Sequence, residues 1–255
     1  LLVGDVDLVQ VRATTTERSL PADLRLAVVD PGRAARSAME KPALDTTTMD
    51  GTPGDATMSA GAPASLATDP GEGTDGSDRI DLQAATFTPK PQIFSRAQWG
   101  ADERMREKSS LHYGEVHAGF VHHTVNANDY TRAEVPALLR SIYAYHTQSR
   151  GWSDIGYNYL VDRFGRIWEG RYGGIDRPVV GAHTLNYNDW SFAMSAIGNY
   201  DIAQPSRAMV EAYGALFAWK LSLHGVDASS TKQWVGSRNF EAINGHRDAA
   251  STACP

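Results

Sequence analysis

The 255-residue chain has a single cysteine, which excludes a disulfide within it. In a secreted chain an unpaired thiol requires an explanation, and reactivity or a bound metal are the usual ones. The chain also lacks an apolar run long enough to cross a membrane. It has no excess of positive charge to neutralise phosphates, because its formal net charge is −6. We therefore expect no nucleic-acid partner.

Aromatic side chains are nearly absent from the first 90 residues, which contain Phe87 but none of the six Trp and ten Tyr. The same segment has 14 acidic and 8 basic side chains, so it carries the whole net charge. A core needs large apolar side chains, and we predict a single folded domain over residues 93–255. Residues 31–92, rich in Ala, Thr, Gly, Pro, Asp and Ser, are predicted to form a flexible linker. Residues 1–30 are predicted to be the end of an upstream region with two short strands.

Strand and helix patterns alternate within the predicted domain. The apolar periodicity predicts strands at residues 116–122, 157–161, 166–169 and 192–198, and helices at residues 131–145 and 206–223. The middle two strands are expected to form a hairpin, and Thr131 with Glu134 matches a capping box at the start of the first helix. We predict an α/β domain with a mixed central sheet flanked by helices, preceded by a largely disordered N-terminal region.

The closing segment, residues 245–255, places His246 eight positions before Cys254. An imidazole and a thiolate are half of a zinc site, because Zn²⁺ prefers tetrahedral N/S coordination and catalytic sites use three protein ligands with one open position. Residues 120–124 place two adjacent histidines at the end of a predicted strand, where only one of them can face a given site. Either His122 or His123 would complete a His₂Cys zinc site.

Each of these residues also has an ordinary structural interpretation. A histidine at a strand end is more often a hydrogen-bonded structural side chain than a ligand. A free cysteine is usually a small buried apolar side chain.

Six sequence blocks, taken in order, carry a resemblance to a known family. They are VHHT at 121–124, GWSDIGYNY at 151–159, WEGR at 168–171, GAHT at 181–184, IGNY at 197–200, and GHR with TACP within 245–255. In this order they resemble the peptidoglycan recognition proteins, a family that shares its fold with the bacteriophage-lysozyme type of zinc N-acetylmuramoyl-L-alanine amidase. The resemblance covers residues 94–255 and implies the recognition-protein fold for that part.

The resemblance implies a ligand set and a catalytic set. It selects His122, with His246 and Cys254, as the ligands of Zn²⁺. Tyr157 matches the catalytic tyrosine of the family and is expected to hydrogen-bond the oxyanion that forms when an amide is attacked. Thr252 stands where some relatives carry lysine, so its expected role is limited to orientation and hydrogen bonding. The group that transfers the proton is left open.

The resemblance also implies a substrate-binding groove. Gly151 and Trp152 match a pair associated with stem peptides that contain diaminopimelic acid. Arg171 matches an arginine that grips the extra carboxylate, which a guanidinium fork suits well, although a solvated surface arginine is the alternative. Further expected contacts on this groove are His123, which orients its neighbour, and His146 and His183.

Two further features lie near this groove in the sequence. Asp154 is as compatible with fixing a turn as with touching substrate. Residues 172–178 form a longer and more glycine-rich loop than is usual in the family.

We therefore expect a bacterial enzyme, secreted or associated with the cell wall, that acts as a monomer on peptidoglycan or muropeptides. It is expected to cut the bond between the lactyl group of N-acetylmuramic acid and L-alanine, with Zn²⁺ as cofactor. The alternatives are a non-catalytic peptidoglycan-binding module, a zinc peptidase acting within the stem peptide, and an anchoring protein whose N-terminal part is functional. Cys254 and Tyr157 favour the enzyme, because non-catalytic members of the family commonly lack the cysteine.

Overall fold

The computed structural model describes residues 88–254. The two strands predicted before residue 30 and most of the predicted linker lie outside this range, so the predicted division of the chain stays a prediction. The strands are β1 Ile93–Phe94, β2 Ala118–His123, β3 Tyr159–Val161, β4 Ile167–Glu169, β5 Ser191–Ala196, β6 Gln233–Val235, β7 Arg238–Phe240 and β8 Ile243–Gly245. The α-helices are α1 Arg96–Trp99, α2 Val135–Ala144, α3 Arg207–Leu223 and α4 His246–Ala249.

Six of these strands form one mixed sheet in the order β1-β4-β3-β5-β2-β8, which confirms the predicted fold class. Strands β3 and β4 are antiparallel, as the predicted hairpin requires, and the other neighbours are parallel. All six residues of β5 are buried, as expected for a central strand covered on both faces. Strands β6 and β7 pair separately as a second, two-stranded sheet.

Helices cover both faces of the main sheet. On one face, Phe217 of α3 packs with Phe192 and Met194 of β5 in one apolar cluster. On the other face, α2 packs against residues that alternate with these along the strands, such as Leu160 of β3. The close approach of α3 explains Gly119 in β2, because a Cβ there would lie 2.5 Å from the Phe217 ring.

Helix α3 follows the sequence prediction, since Ser206 is its N-cap and its hydroxyl accepts a hydrogen bond from the Met209 N–H. The start of α2 differs. Glu134 does accept hydrogen bonds from the backbone and hydroxyl of Thr131, but these close a turn ahead of the helix, which begins at Val135 with a proline in its first turn. The prediction placed the start four residues early because it counted this turn as helix. After α2 the chain continues as a π-helical turn, Tyr145–Ser149.

The parallel arrangement of β2 and β8 places their carboxyl ends side by side. Val121 pairs with Gly245, so His122, the next residue of β2, and His246, the first residue of α4, reach the same edge of the sheet. Within residues 88–254, no helix combines the length and the apolar character that a membrane span needs.

Candidate functional site

Three potential metal ligands converge at this sheet edge. The ligand atoms of His122, His246 and Cys254 all lie within 4.8 Å of one another. Sγ of Cys254 is 3.5 Å from Nδ1 of His122, and the two imidazole rings have centroids 4.5 Å apart. Two nitrogens and one sulfur are a donor set that suits Zn²⁺, with one coordination position left for another ligand.

The structure separates the two adjacent histidines as the alternation of strand side chains requires. His122 enters the ligand cluster, whereas His123 turns away from it. Nδ1 of His123 accepts a hydrogen bond from the backbone N–H of Tyr200 at 3.1 Å, and its Nε2 lies 3.8 Å from a carboxylate oxygen of Asp201. His123 therefore ties the strand end to the loop after β5.

Burial sets the protonation of the candidate ligands. It lowers the pKa of His122 well below its ordinary value, and it also lowers the pKa of His246. Both rings are therefore neutral at neutral pH and have a lone pair for a metal. Burial raises the pKa of the Cys254 thiol, so a bound cation is needed to favour the thiolate.

Nε2 of His122, the ring nitrogen on the side away from Cys254, has a hydrogen-bond partner that sequence analysis did not identify. Nε2 of His122 lies 3.2 Å from the hydroxyl oxygen of Thr184, and Nδ1 of His183 lies 3.0 Å from the same oxygen. Thr184 and His183 are both buried. Burial, with smaller effects of Arg171 and His246, lowers the pKa of His183 to about 3. His183, expected to contact substrate, is thus held inside the protein next to Thr184.

The predicted catalytic residues lie on two sides of the ligand cluster. The partly buried ring of Tyr157 is 5.4 Å from the ring of His122, and burial raises the pKa of Tyr157 to about 12. Its hydroxyl is therefore a neutral hydrogen-bond donor at neutral pH. The exposed Thr252 accepts a hydrogen bond from the backbone N–H of Cys254 at 3.2 Å, which fixes the chain at the thiol.

The π-helical turn after α2 contains His146, one of the residues predicted to line the groove. His146 stacks on Trp152 with ring centroids 4.6 Å apart, and its Nδ1 accepts a hydrogen bond from the Gly156 N–H at 3.2 Å. Burial, then Arg150 and Arg171, lowers the pKa of His146 to about 4. Gly151 has φ of 67°, a left-handed conformation that favours glycine. The Gly-Trp pair is therefore a turn that lays the indole against His146.

Arg171 is only 8% exposed, which excludes the alternative of a solvated surface arginine. One of its terminal nitrogens donates to the carbonyl of Ile155 at 3.2 Å and the other to the hydroxyl of Ser153 at 2.9 Å. The guanidinium is thus held against the segment that follows the Gly-Trp pair.

Asp154 fixes the turn beside Arg171. Its carboxylate accepts from the backbone N–H groups of Ile155 at 2.6 Å and Tyr172 at 3.0 Å. It also pairs with the buried Arg96 at 3.2 Å. Of the two roles left open for Asp154, the structure supports the structural one, and neither Asp154 nor Arg96 could be placed in this network from local sequence patterns.

The glycine-rich loop at residues 172–178 is anchored from behind. Gly173 and Gly174 have φ of 138° and 107°, which allows a bend that other residues would strain to make. Nζ of the buried Lys220, in α3, donates to the carbonyls of Ile175 at 3.0 Å and Arg177 at 2.8 Å. The departure from the usual family loop is therefore a fixed part of the fold.

Comparisons with known proteins identify the family to which this chain is similar. The Amidase_2 family, described as N-acetylmuramoyl-L-alanine amidase, matches residues 112–255, more than half of the chain. Peptidoglycan-recognition protein SC2 of Drosophila melanogaster is 34% identical over 163 residues, which cover 64% of this chain and 79% of the relative. The human N-acetylmuramoyl-L-alanine amidase is 32% identical over 175 residues, covering 66% of this chain but only 27% of that longer protein.

A solved structure of peptidoglycan recognition protein LE matches with a TM-score of 0.53 and 28% identity, covering 64% of this chain and 86% of that chain. It contains tracheal cytotoxin, described as monomeric diaminopimelic acid-type peptidoglycan.

These relatives correct one expectation. The predicted bacterial source is wrong, because the related proteins come from Drosophila, human and pig. The motifs that carry the resemblance serve metal and substrate chemistry, which is the same in an animal and in a bacterial enzyme, so they contain no information about the source. On the matched segment, the identities and the shared fold, this chain belongs to the family of peptidoglycan recognition proteins and N-acetylmuramoyl-L-alanine amidases.

Proposed function

We propose that this chain is a zinc-dependent N-acetylmuramoyl-L-alanine amidase that acts on peptidoglycan of the diaminopimelate type. The observation that carries the proposal is the convergence of His122, His246 and Cys254, whose ligand atoms lie within 4.8 Å of one another, with Tyr157 beside them. A recognition module that only binds muropeptide has no use for a thiol and two neutral imidazoles in one cluster.

Each residue at the site has a proposed role in binding the metal or stabilising the transition state. His122, His246 and Cys254 would hold Zn²⁺, which when bound polarises a carbonyl and lowers the pKa of water to about 7. Tyr157 would donate a hydrogen bond to the oxygen on which negative charge develops when the amide is attacked. Its high pKa excludes it as a general base at neutral pH. Thr252 would keep the Cys254 backbone in place through the hydrogen bond at 3.2 Å.

The proposed substrate class rests on the groove wall. Arg171 is held rigidly by two hydrogen bonds, and a pre-ordered guanidinium recognises a carboxylate at a low entropic cost. The structure of protein LE with a diaminopimelic acid-type ligand supports this assignment. The N-acetylmuramoyl-L-alanine amidase name of the human relative supports the bond that is cut. Because one chain supplies every proposed ligand, we propose a monomer as the active form.

The test combines zinc content with mass spectrometry of products from diaminopimelate-type peptidoglycan. The wild type should contain about one zinc per chain, as a His₂Cys site requires, and release intact stem peptides that begin with L-alanine. Cys254→Ser should lose both properties. Ser251→Ala, a change at an exposed position three residues away, is the matched control and should keep both.

Two of the alternatives predict a different outcome of this test. Cleavage within the stem peptide would identify a peptidase and overturn the proposed bond. Zinc-free wild-type protein that binds muropeptide and releases nothing would identify a recognition module.

A further inference from the structure

A buried hydroxyl connects the candidate ligand His122 to a second histidine, His183, which is not one of the three clustered ligands. Thr184 is 1% exposed, and its hydroxyl oxygen lies 3.2 Å from Nε2 of His122 and 3.0 Å from Nδ1 of His183. A hydroxyl has one hydrogen to donate and accepts through its lone pairs. It can therefore donate to at most one of the two rings, and it must accept from the other.

His183 offers an acceptor to this hydroxyl. The ring is buried and neutral, so only one of its nitrogens carries a proton. When that proton is on Nε2, the lone pair of Nδ1 faces the Thr184 hydroxyl oxygen at 3.0 Å and can accept its hydrogen.

The consequence reaches the candidate ligand. If the Thr184 hydroxyl donates to His183, its oxygen must accept from the Nε2–H of His122. The proton of His122 is then on Nε2, and its Nδ1, the atom 3.5 Å from Sγ of Cys254, keeps a free lone pair. This is the tautomer that a metal ligand needs when the metal is on the Nδ1 side.

The position of Thr184 is itself fixed by the backbone. The side-chain oxygen of Asn188 accepts from the N–H of His183 at 2.8 Å and from the N–H of Thr184 at 2.9 Å. The Thr184 carbonyl accepts from the N–H of Tyr187 at 3.0 Å. A turn closed by three hydrogen bonds thus holds the hydroxyl in front of His122.

We infer that Thr184 is a positioning residue that fixes the tautomer and orientation of His122 for metal binding, with His183 and Asn188 holding Thr184 in place. The inference rests on the proposed function, because it assumes that a metal binds to Nδ1 of His122. It gives His183 a role inside the protein that requires no contact with substrate.

The experiment measures zinc affinity by competition with a chelator, for the wild type, Thr184→Val and Thr184→Ser. Valine keeps the shape but removes the hydroxyl, and the loss of such an outer partner weakens metal binding by about 10- to 100-fold. Serine keeps the hydroxyl and should remain close to the wild type. Thr124→Val is the matched control, because its hydroxyl accepts from the Gly198 N–H near the same strand end and does not contact a ligand; its zinc affinity should be unchanged.

A second measurement does not depend on any variant. Nitrogen-15 NMR of the histidine side chains in the metal-free wild type should show His122 and His183 protonated on Nε2. A proton on Nδ1 of His122 would overturn the inference, as would Thr184→Val that binds zinc as tightly as the wild type. Both outcomes leave the proposed function standing if the wild type binds zinc. A wild type that binds no zinc would overturn the proposed function and, with it, the inferred role of Thr184.

Discussion

Replacing Tyr157 with phenylalanine separates catalysis from metal binding at this site. The change removes the hydroxyl and keeps the ring, which packs against the apolar cluster around α2. The ring also contacts His146 and His122, with centroids 5.6 Å and 5.4 Å away. Because phenylalanine preserves these contacts, the variant should fold and hold Zn²⁺ as the wild type does.

The expected loss of activity follows from the state of the hydroxyl. Burial raises the pKa of Tyr157 to about 12, so the group is a neutral donor throughout the neutral range. Removing one donor to a developing oxyanion costs about 10²- to 10³-fold in kcat, or roughly 2.7–4 kcal/mol. Because the interaction is made only in the transition state, kcat and kcat/KM should fall by the same factor.

The assay is steady-state hydrolysis of a defined muropeptide, with zinc content and thermal unfolding measured on the same samples. Tyr145→Phe is the control, since it makes the same change at an exposed tyrosine and should leave kcat unchanged. A Tyr157→Phe enzyme with wild-type kcat would refute the donor role. A variant that has lost its zinc would show that the hydroxyl supports the metal site instead.

Two further predictions concern the groove wall and the buried lysine behind it. Arg171→Lys should lower kcat/KM on diaminopimelate-type peptidoglycan more than on lysine-type peptidoglycan, because an ammonium cannot replace the guanidinium fork; equal losses on both would contradict the assignment. Burial lowers the pKa of Lys220 from 10.5 to about 7. Between these two pH values the unfolded chain binds more protons at this lysine than the folded chain does, so the contribution of this group to stability rises with pH. From pH 7 to pH 8 the free energy of unfolding of the wild type should therefore rise by about 1 kcal/mol more than that of Lys220→Met. Denaturant titrations of both proteins at the two pH values measure this difference. Equal changes in the two proteins would refute the argument that burial lowers the pKa of Lys220.

The main elements of the sheet were predictable because each has a strong local pattern. The segments that form β2 and β5 include short apolar runs, and the turn between β3 and β4 contains Gly165 with φ of 79°. Strand β8 and helix α4 were not predicted, because they have three and four residues and are too short to show a period. Yet β8 is the strand that brings His246 to the edge where β2 ends.

The candidate site was predictable in its chemistry and less so in its supports. Histidine and cysteine are recognisable as zinc ligands from residue type alone, but the sequence pattern does not decide between His122 and His123. The pairing of strands settles which ring faces the cluster. Thr184 is 62 positions from His122 along the chain, so no local rule connects them. The only available signal was that a hydroxyl follows His183 within a recognised block.

The exposure of the closing segment, up to residue 254, helps to explain why the chain has a cysteine at that position. None of the four residues of α4 is buried, and residues 250–253 are exposed, so this segment contributes little to the core. Cys254 itself is only partly buried, so it is not the fully buried apolar side chain that a free cysteine usually is. The groove residues His146, Trp152 and Arg171 are held by other elements, through buried hydrogen bonds that do not involve the closing segment. We therefore expect the groove residues to stay in place when the thiol is removed. Under the proposed function, a thiol that the fold does not need is best explained by the metal chemistry that it makes possible.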